Sequence, residues 1–577
     1  MTNLNKIKNK NIATKIKTWL EGPYDEKTKQ EINDLIKKNK IEDLTNAFYT
    51  DCSFGTGGMR ELMGVGTNRM NIYTVGFITQ GLSNYLKKKK YKKPKVVICY
   101  DDRHNSDKFA KEAAIILSAN NIQPLLFKAP RPTPLASYIC RDKKASAAIM
   151  ITASHNAANY NGYKVYWSDG AQVLPPHDLG IVDEIQKIKS PTQVKKTKLL
   201  KIQYLDTKAD DKFIKKIHSV SKNASMTKKQ GSKLSIIYTN LHGVGITLMP
   251  QALKSWGFTN ITYVDKQKPL DPNFTYAKHP NPEEKKSLML GINLLKKTKK
   301  DILIATDADS DRMSAVINHK NKQIILSGNQ IAVIMLYYLS LFKSKTKKKL
   351  FCVKTIVTTS LIDKIAKEFN IESFSLLTGF KYIAEKIAEM KDAKFILGAE
   401  ESYGYLATSD IRDKDGISSA CLLSEIALYN KLKKKTLFDF LLEIYEKFGV
   451  YRDEAMSITF PEGAKSKKMI KEKLLKIEKS PPLKINNLKV IRIDDYKKSI
   501  SKDMITKKEK KLTLPKSNVL TFHLADKTKI TIRPSGTEPK IKIYIETCEE
   551  KINKIEDAIK ICDRKQKKIL QEIKELF

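Results

Sequence analysis

Four short stretches of this chain hold residue types that could handle a phosphate group, and they lie far apart in sequence. The first is Thr152-Ala153-Ser154-His155-Asn156. It follows the apolar run Ala145 to Ile151, which reads as a buried strand, and precedes the turn-rich Asn159-Tyr160-Asn161-Gly162-Tyr163-Lys164. A hydroxyl where a strand of an α/β sheet breaks into a loop tends to face the ligand crevice. Ser154 is therefore a candidate nucleophile that carries a phosphoryl group. The plain alternative is a cap or turn serine.

The second stretch is Thr306-Asp307-Ala308-Asp309-Ser310-Asp311-Arg312, after an apolar strand ending at Ala305. Alternate carboxylates in an extended chain point to one side. Asp307, Asp309 and Asp311 would then present three hard oxygen ligands, which suit Mg²⁺. An EF-hand is excluded, because Arg312 and Asn318 stand where that loop needs Gly and the bidentate Glu. A solvated acidic turn is the other reading, but three clustered like charges repel without a cation. The third stretch, Gly398-Ala399-Glu400-Glu401-Ser402-Tyr403-Gly404, ends another strand. Carboxylates beside a hydroxyl suit a polyol, whose hydroxyls both donate and accept. Arg412 and Lys414 lie just beyond, as phosphate partners. The fourth, Arg533-Pro534-Ser535-Gly536-Thr537-Glu538-Pro539-Lys540, has the makings of a phosphate nest: a guanidinium, two hydroxyls and close backbone N–H groups. A weaker fifth is Phe54-Gly55-Thr56-Gly57-Gly58-Met59-Arg60, where glycines admit an anion and Arg60 could pair with it. Its spacing is neither Gly-x-Gly-x-x-Gly nor a P-loop.

Apolar strands alternate with helical patterns through most of the chain, as expected of α/β domains with helices on the sheet faces. Residues 1–47 read as a helical extension, with Ile32, Leu35 and Ile36 as the apolar stripe. Strands are expected at Lys95 to Tyr100 and Gln123 to Phe127, with a helix between at Phe109 to Leu117. The first of these strands ends in Asp101-Asp102-Arg103-His104. A polar stretch from Lys208 to Lys233 marks a domain change, a helix starting after Gly328-Asn329-Gln330 opens a third unit, and a less regular last domain closes with an amphipathic helix from about Lys551. The expected organisation is α/β: three consecutive mixed-sheet α/β domains plus a C-terminal α+β domain around one central cleft. The boundaries are 1–206, 207–327, 328–451 and 452–577.

The chain has 577 residues, enough for about four domains. Its formal net charge is +43. Lysine is spread through nearly every segment, without interleaved aromatics, so generic surface charge is favoured over a specific nucleic-acid site. A basic nucleic-acid-binding protein remains the alternative of a different class. The seven cysteines are scattered and form no Cys-x-x-Cys pair, which argues against a disulfide framework or a zinc site. Met1 to Lys17 lacks the apolar core of a signal peptide, and the longest apolar run, Ile331 to Phe342, is too short to span a bilayer. A soluble, cytoplasmic protein without membrane partners is expected.

Taken in order, the four stretches resemble the α-D-phosphohexomutase superfamily, the phosphoglucomutase/phosphomannomutase enzymes, from about Phe54 to the C-terminal helix. Asn161-Gly162-Tyr163-Lys164-Val165-Tyr166, Thr378-Gly379-Phe380-Lys381, Arg412-Asp413-Lys414-Asp415-Gly416 and the long N-terminal segment are similar to one branch. That branch holds some bacterial phosphoglucomutases, animal phosphopentomutase and glucose 1,6-bisphosphate synthase. The resemblance implies interconversion of glucose 1-phosphate and glucose 6-phosphate through phosphoserine at Ser154 and a 1,6-bisphosphate intermediate, with glucose 1,6-bisphosphate as activator. Mannose- or pentose-specific relatives of the same mechanism are the alternatives. It implies Mg²⁺ on Asp307, Asp309, Asp311 and Ser154, and a phosphorylated sugar held by Arg312, Thr378, Gly379, Lys381, Glu400, Ser402, Arg412, Lys414, Arg533, Ser535, Gly536 and Thr537. Arg60 would stabilise the phosphoserine side. Either His155 or Lys164 would manage the proton of the attacking hydroxyl. Two positions depart from the family pattern: Ala157 replaces the usual Pro, and no His follows the Glu400-Glu401-Ser402 loop.

Overall fold

Five consecutive buried residues, Ala147–Ile151, form the strand that leads into Ser154, and a first sheet is built around them. The structure is a computed structural model. It describes all residues except 1–6, 8, 52–57, 200, 344–345, 462–463, 536–539, 552 and 576–577, and it leaves aside the side chains of 464, 465 and 467. The chain divides into two compact units, residues 1–325 with 404–428, and residues 326–403 with 429–577.

In the first unit, Ala147–Ile151 lies between Lys95–Tyr100, to which it is parallel, and Tyr160–Trp167, to which it is antiparallel. Gln123–Phe127 and Gln203–Leu205 extend the parallel side, and Gly58–Leu62 the antiparallel side. A strand buried on both faces needs a continuous apolar run, which 147–151 supplies. Helices Ile72–Lys88 and Ser106–Ala119 contribute Val75, Ile78, Leu82, Ala110 and Leu117 to the core against this sheet. Register places Lys164 opposite Met150, one pair from the strand end that releases Ser154. The N-terminal residues form three helices, Lys10–Glu21, Glu26–Lys37 and Ile41–Phe48, closed around Ile16, Trp19, Ile32, Ile36, Leu44 and Phe48.

A second mixed sheet follows. Ile302–Thr306 is parallel to Ile236–Thr239 and antiparallel to Met313–His319, with helix Lys285–Thr298 packed on it through Leu288 and Leu295. Residues 404–428 also belong to this unit. Glu425 accepts hydrogen bonds from the backbone N–H groups of Lys222 at 2.8 Å and Asn223 at 3.0 Å, and from the Ser221 hydroxyl. Tyr166 donates its hydroxyl to Asp413 at 2.7 Å.

In the second unit, parallel strands Leu350–Thr355, Ile371–Leu376 and Lys394–Glu400 form the next sheet. Helix Gly328–Leu341 begins earlier than the composition suggests. Ser327 and Gln330 form a capping box, Gln330 N to Ser327 Oγ at 3.2 Å and Ser327 N to Gln330 Oε1 at 2.9 Å, so Gly328, Asn329 and Gln330 are its first turn. The chain ends in an antiparallel sheet whose longest strands, Val450–Thr459 and Lys540–Glu549, pair with each other. Helices Ala464–Lys479 and Ile555–Glu575 contribute Leu474, Ile477, Ile569 and Ile573 to its core. The mixed α/β sheets followed by an antiparallel sheet with helices agree with the expected fold class. No described helix is long and apolar enough to cross a membrane.

Gly162 ties this architecture to the Ser154 loop. It lies in the strand that receives the Thr152 N–H at 3.1 Å, and a Cβ there would fall 2.5 Å from Thr152 O and 2.7 Å from Met59 O. Backbone atoms on both sides cannot yield cheaply. We expect Gly162→Ala to cost about 1–3 kcal/mol, read as a lower urea midpoint with an unchanged slope.

Candidate active site

Ser154 sits just past its strand with φ 52°, in the left-handed region. Its hydroxyl donates to Asp307 Oδ2 at 2.9 Å, and His155 Nδ1 lies 3.2 Å from Ser154 Oγ. Two of the expected stretches thus meet through one hydrogen bond, and Ser154 is only 2% exposed. Asn156 lies beside them, and Arg60 donates to its Oδ1 at 3.1 Å. Residues 54–57 of the glycine-rich stretch lie outside the described residues.

The three aspartates come together by a different route from the one expected. The chain is not extended here. It turns at 308–311, with Ser310 N bonded to Asp307 O at 3.1 Å, Ser310 at φ 55°, and Arg312 N bonded to Asp307 Oδ1 at 3.1 Å. The turn, and not strand alternation, gathers one oxygen from each of Asp307, Asp309 and Asp311 to within 4.8 Å of one another, all three residues being buried.

Such a cluster needs positive charge. Lys164 Nζ lies 2.8 Å from Asp309 Oδ2 and 3.3 Å from Asp311 Oδ2. Lys414 Nζ is 3.1 Å from Asp311 Oδ2. Thr133 donates its hydroxyl to Asp309 Oδ2 at 2.7 Å. Arg312 is 3.9 Å from Asp311 and is paired with Glu283. Burial and then the neighbouring Asp309 and Asp311 push the Asp307 pKa well up. Burial also opposes ionisation of Asp309, but the Lys164 charge and the hydrogen bonds from Lys164 and Thr133 outweigh it and hold that carboxyl low. Burial works against the Lys164 ammonium, yet Asp309 and Asp311 keep its pKa above the ordinary lysine value. Asp309 Oδ1 and Asp311 Oδ1 are buried and have no hydrogen-bond partner among the described residues. Orphaned, convergent carboxylate oxygens of this kind fit a hard divalent cation.

Arg412 lies in the same unit, with Nε and Nη1 buried and without hydrogen-bond partners among the described residues. Burial, and then repulsion from Arg141, lowers its pKa to about 10. A desolvated guanidinium with idle donors is suited to an anion.

In the second unit, the strand Lys394–Glu400 delivers Glu400, whose Oε1 accepts the Gly379 N–H at 2.9 Å. Gly379 has φ 123°, which a side chain would resist, and it precedes helix Phe380–Glu389. Lys381 in the first turn is buried, its ammonium 5.1 Å from the Tyr382 ring. Arg533 donates to the Thr378 hydroxyl. Thr378, Gly379, Lys381, Glu400 and Arg533 are therefore neighbours. Ser402 follows in the turn after Glu400, and Ser535 N bonds Lys540 O at 2.7 Å. Gly536 and Thr537 lie outside the described residues.

Sequence reasoning passed over Thr133 and the Asp101-Asp102-Arg103 turn. Their only signal was position, the turn directly after the strand Lys95–Tyr100 and Thr133 at the start of the helix Thr133–Asp142. Asp102 is buried beside Asp101, and burial followed by that repulsion pushes its pKa up to about 8.

Residues 51–192 match the phosphoglucomutase/phosphomannomutase alpha/beta/alpha domain I, 211–320 domain II, 327–448 domain III and 488–560 the C-terminal domain of that family. A phosphoglucomutase of Staphylococcus haemolyticus (strain JCSC1435) is 36% identical over 508 residues, covering 86% of this chain and 90% of the relative. One from Staphylococcus aureus (strain MRSA252) is 34% identical over 524 residues, covering 89% and 93%. Among solved structures, the open form of Paramecium pp63/parafusin, a phosphoglucomutase, superposes with TM-score 0.65 at 19% identity, covering 90% of this chain and 95% of that one. A phosphoglucomutase/phosphomannomutase family protein from Burkholderia thailandensis gives 0.64 at 16% identity, covering 91% and 97%. At these identities the two structures speak to fold.

Two outcomes follow from the charges. A divalent cation at about 100 times its Kd should stabilise the protein by about 3 kcal/mol, seen as a rise in Tm that Asp309→Ala abolishes. An acid whose pKa is raised in the folded state from about 4 favours folding while protonated. The Asp102 contribution is thus complete below about pH 4 and is lost as pH rises through about 8. Asp102→Asn should remove that loss, so its urea stability relative to wild type should climb between pH 5 and 8.5.

Proposed function

This chain belongs to the phosphoglucomutase/phosphomannomutase family, intramolecular phosphotransferases, and we propose that it interconverts glucose 1-phosphate and glucose 6-phosphate through a phosphoserine at Ser154. The observation that carries this reading is the Ser154 hydroxyl, 2.9 Å from a carboxylate of a buried three-aspartate cluster.

In the proposed cycle Ser154 carries the phosphoryl group in the resting enzyme. A free sugar hydroxyl, at C6 or C1, attacks the phosphorus and gives its proton to His155, which returns it to Ser154 Oγ as that oxygen leaves. The bond from phosphorus to Ser154 Oγ breaks, the bond to the sugar oxygen forms, and glucose 1,6-bisphosphate results. Transfer of the other phosphate back to Ser154 completes the isomerisation, so free glucose 1,6-bisphosphate should also prime the enzyme. Mg²⁺, held by Asp307, Asp309 and Asp311 with an oxygen on Ser154, would supply Lewis-acid neutralisation of the charge on the transferring group.

His155 Nδ1, 3.2 Å from Ser154 Oγ, can exchange a proton with the serine oxygen as it leaves or attacks. Lys164, kept charged between Asp309 and Asp311, serves better as a fixed cation than as a base. Arg60 supports the serine loop through Asn156. Arg312, Arg412 and Lys414 add positive charge in the same unit. Glu400 and Ser402 are assigned to sugar hydroxyls. Thr378, Gly379 and Lys381, with Arg533, Ser535, Gly536 and Thr537, are assigned to the sugar and its standing phosphate. The near-complete burial of Ser154 supports exclusion of water, which would otherwise hydrolyse the phosphoserine. A cytoplasmic location agrees with this chemistry.

Ser154→Ala should lower mutase turnover by at least about a thousandfold, with the fold retained. The measurement is conversion of glucose 1-phosphate with Mg²⁺ and a trace of glucose 1,6-bisphosphate, with intact mass read for phosphate on the wild-type serine. Mannose 1-phosphate and ribose 1-phosphate run in parallel, since an epimer differs by one hydroxyl contact. Turnover retained by the alanine variant would overturn the nucleophile assignment.

A further inference from the structure

Ser154 is gripped from behind by a closed ring of hydrogen bonds. Its N–H donates to Thr152 Oγ1 at 2.8 Å, and that hydroxyl donates to Asp101 Oδ2 at 2.6 Å. Arg103 Nε donates to the same carboxylate oxygen at 3.1 Å, and Arg103 Nη2 returns to Ser154 O at 2.6 Å. Both backbone polar groups of the serine are therefore held by side chains, and the two holders meet on one carboxylate. Asp101, Arg103 and Thr152 are 0%, 3% and 1% exposed.

Arg103 does more than close the ring. Nη2 also donates to Asn156 O at 2.6 Å, and Nη1 donates to Ala157 O at 2.8 Å and Tyr160 O at 3.2 Å. A guanidinium has five N–H donors, and these contacts use them all. Four carbonyls of the loop 154–160 converge on one planar cation, whose orientation is fixed by Asp101. Asp101 is in turn held by Ser106 Oγ at 2.8 Å and by the Arg103 N–H at 3.1 Å. The left-handed backbone of Ser154 is strained and would otherwise relax. The ring is the local structure that holds it.

We infer that Arg103, with Asp101 and Thr152, is the positioning device for the phosphoryl-carrying serine. It sets the direction of Ser154 Oγ without touching sugar, metal or phosphate. This inference rests on the proposed role of Ser154. The physical need is specific to a mutase, because the same oxygen must be aligned both when it gives up phosphorus and when it accepts it. A lysine at 103 could pair with Asp101, but it lacks the planar fork that collects four carbonyls.

The test compares Thr152→Val, which keeps the shape and removes the hydroxyl, with Thr152→Ser, which restores it. Steady-state constants for glucose 1-phosphate are measured alongside the rate at which glucose 1,6-bisphosphate phosphorylates Ser154, followed by quenched intact mass. Displacement of a reacting atom by about 1 Å can cost a hundredfold. We expect Thr152→Val to lose about 10- to 100-fold in kcat and in the phosphorylation rate, with KM within about twofold. Thr152→Ser should recover to within about threefold. Arg103→Lys, judged on its folded fraction, should show the same loss in kcat without one in KM, and it keeps the question open to refutation if Thr152→Val does not fold. Phosphorylation of Ser154 at the wild-type rate in folded Thr152→Val or Arg103→Lys would overturn the inference, as would a loss confined to Tm. Failure of the underlying reading looks different: Ser154→Ala would turn over, and no phosphate would appear on the wild-type serine.

Discussion

Three buried carboxylates whose oxygens lie within 4.8 Å of one another are the constraint on which the first unit depends. Like charges removed from water repel strongly, and each must be neutralised, paired or bound to a cation. Lys164 and Lys414 supply two ammonium groups, and Thr133 and Ser154 supply hydroxyls. These partners come from a strand of the first sheet, from the loop after the neighbouring strand, from the first residue of helix Thr133–Asp142, and from the segment 404–428 far along the chain. The charge cluster is thus also a tether that gathers distant segments. The pKa pattern follows: Asp309, with the best partners, stays ionised, while Asp307, with the Ser154 hydroxyl and a backbone N–H, is driven toward its neutral form.

The sheet beneath supplies accuracy. Ser154 follows one strand and Lys164 sits within its antiparallel neighbour, a pair whose register is set by a continuous buried run on one and by Gly162 on the other. A slip of one residue would turn Lys164 away from the aspartates. The arginine behind the loop completes the arrangement, because a backbone in the left-handed region stays there only when its surroundings over-determine it.

The second unit follows a similar logic with different chemistry. A strand end presents Glu400, a helix start presents Gly379 and Lys381, and the terminal sheet brings Arg533 to Thr378. Carboxylate, backbone N–H, hydroxyl and guanidinium together make a polar set suited to a sugar phosphate. None of these residues is near another in sequence apart from the 378–381 run.

What the sequence determined by itself was the inventory: α/β alternation, the strand ends, and the hydroxyl, carboxylate and arginine residues placed at them. Such features are local, since apolar periodicity and turn composition are written within about ten residues. The approach of Ser154 to Asp307, the pairing of Lys164 with Asp309, and the return of Lys414 to Asp311 were decided by tertiary structure. Each joins residues more than a hundred positions apart or depends on strand register. The aspartate cluster shows both sides of this. Its spacing was readable and its convergence was expected, but the means was a tight turn with Ser310 in the left-handed region and not an extended strand. Arg103 shows the limit. Its place after Asp101-Asp102 at a strand end pointed to no role, and only the folded chain brings four carbonyls of the loop 154–160 onto its guanidinium.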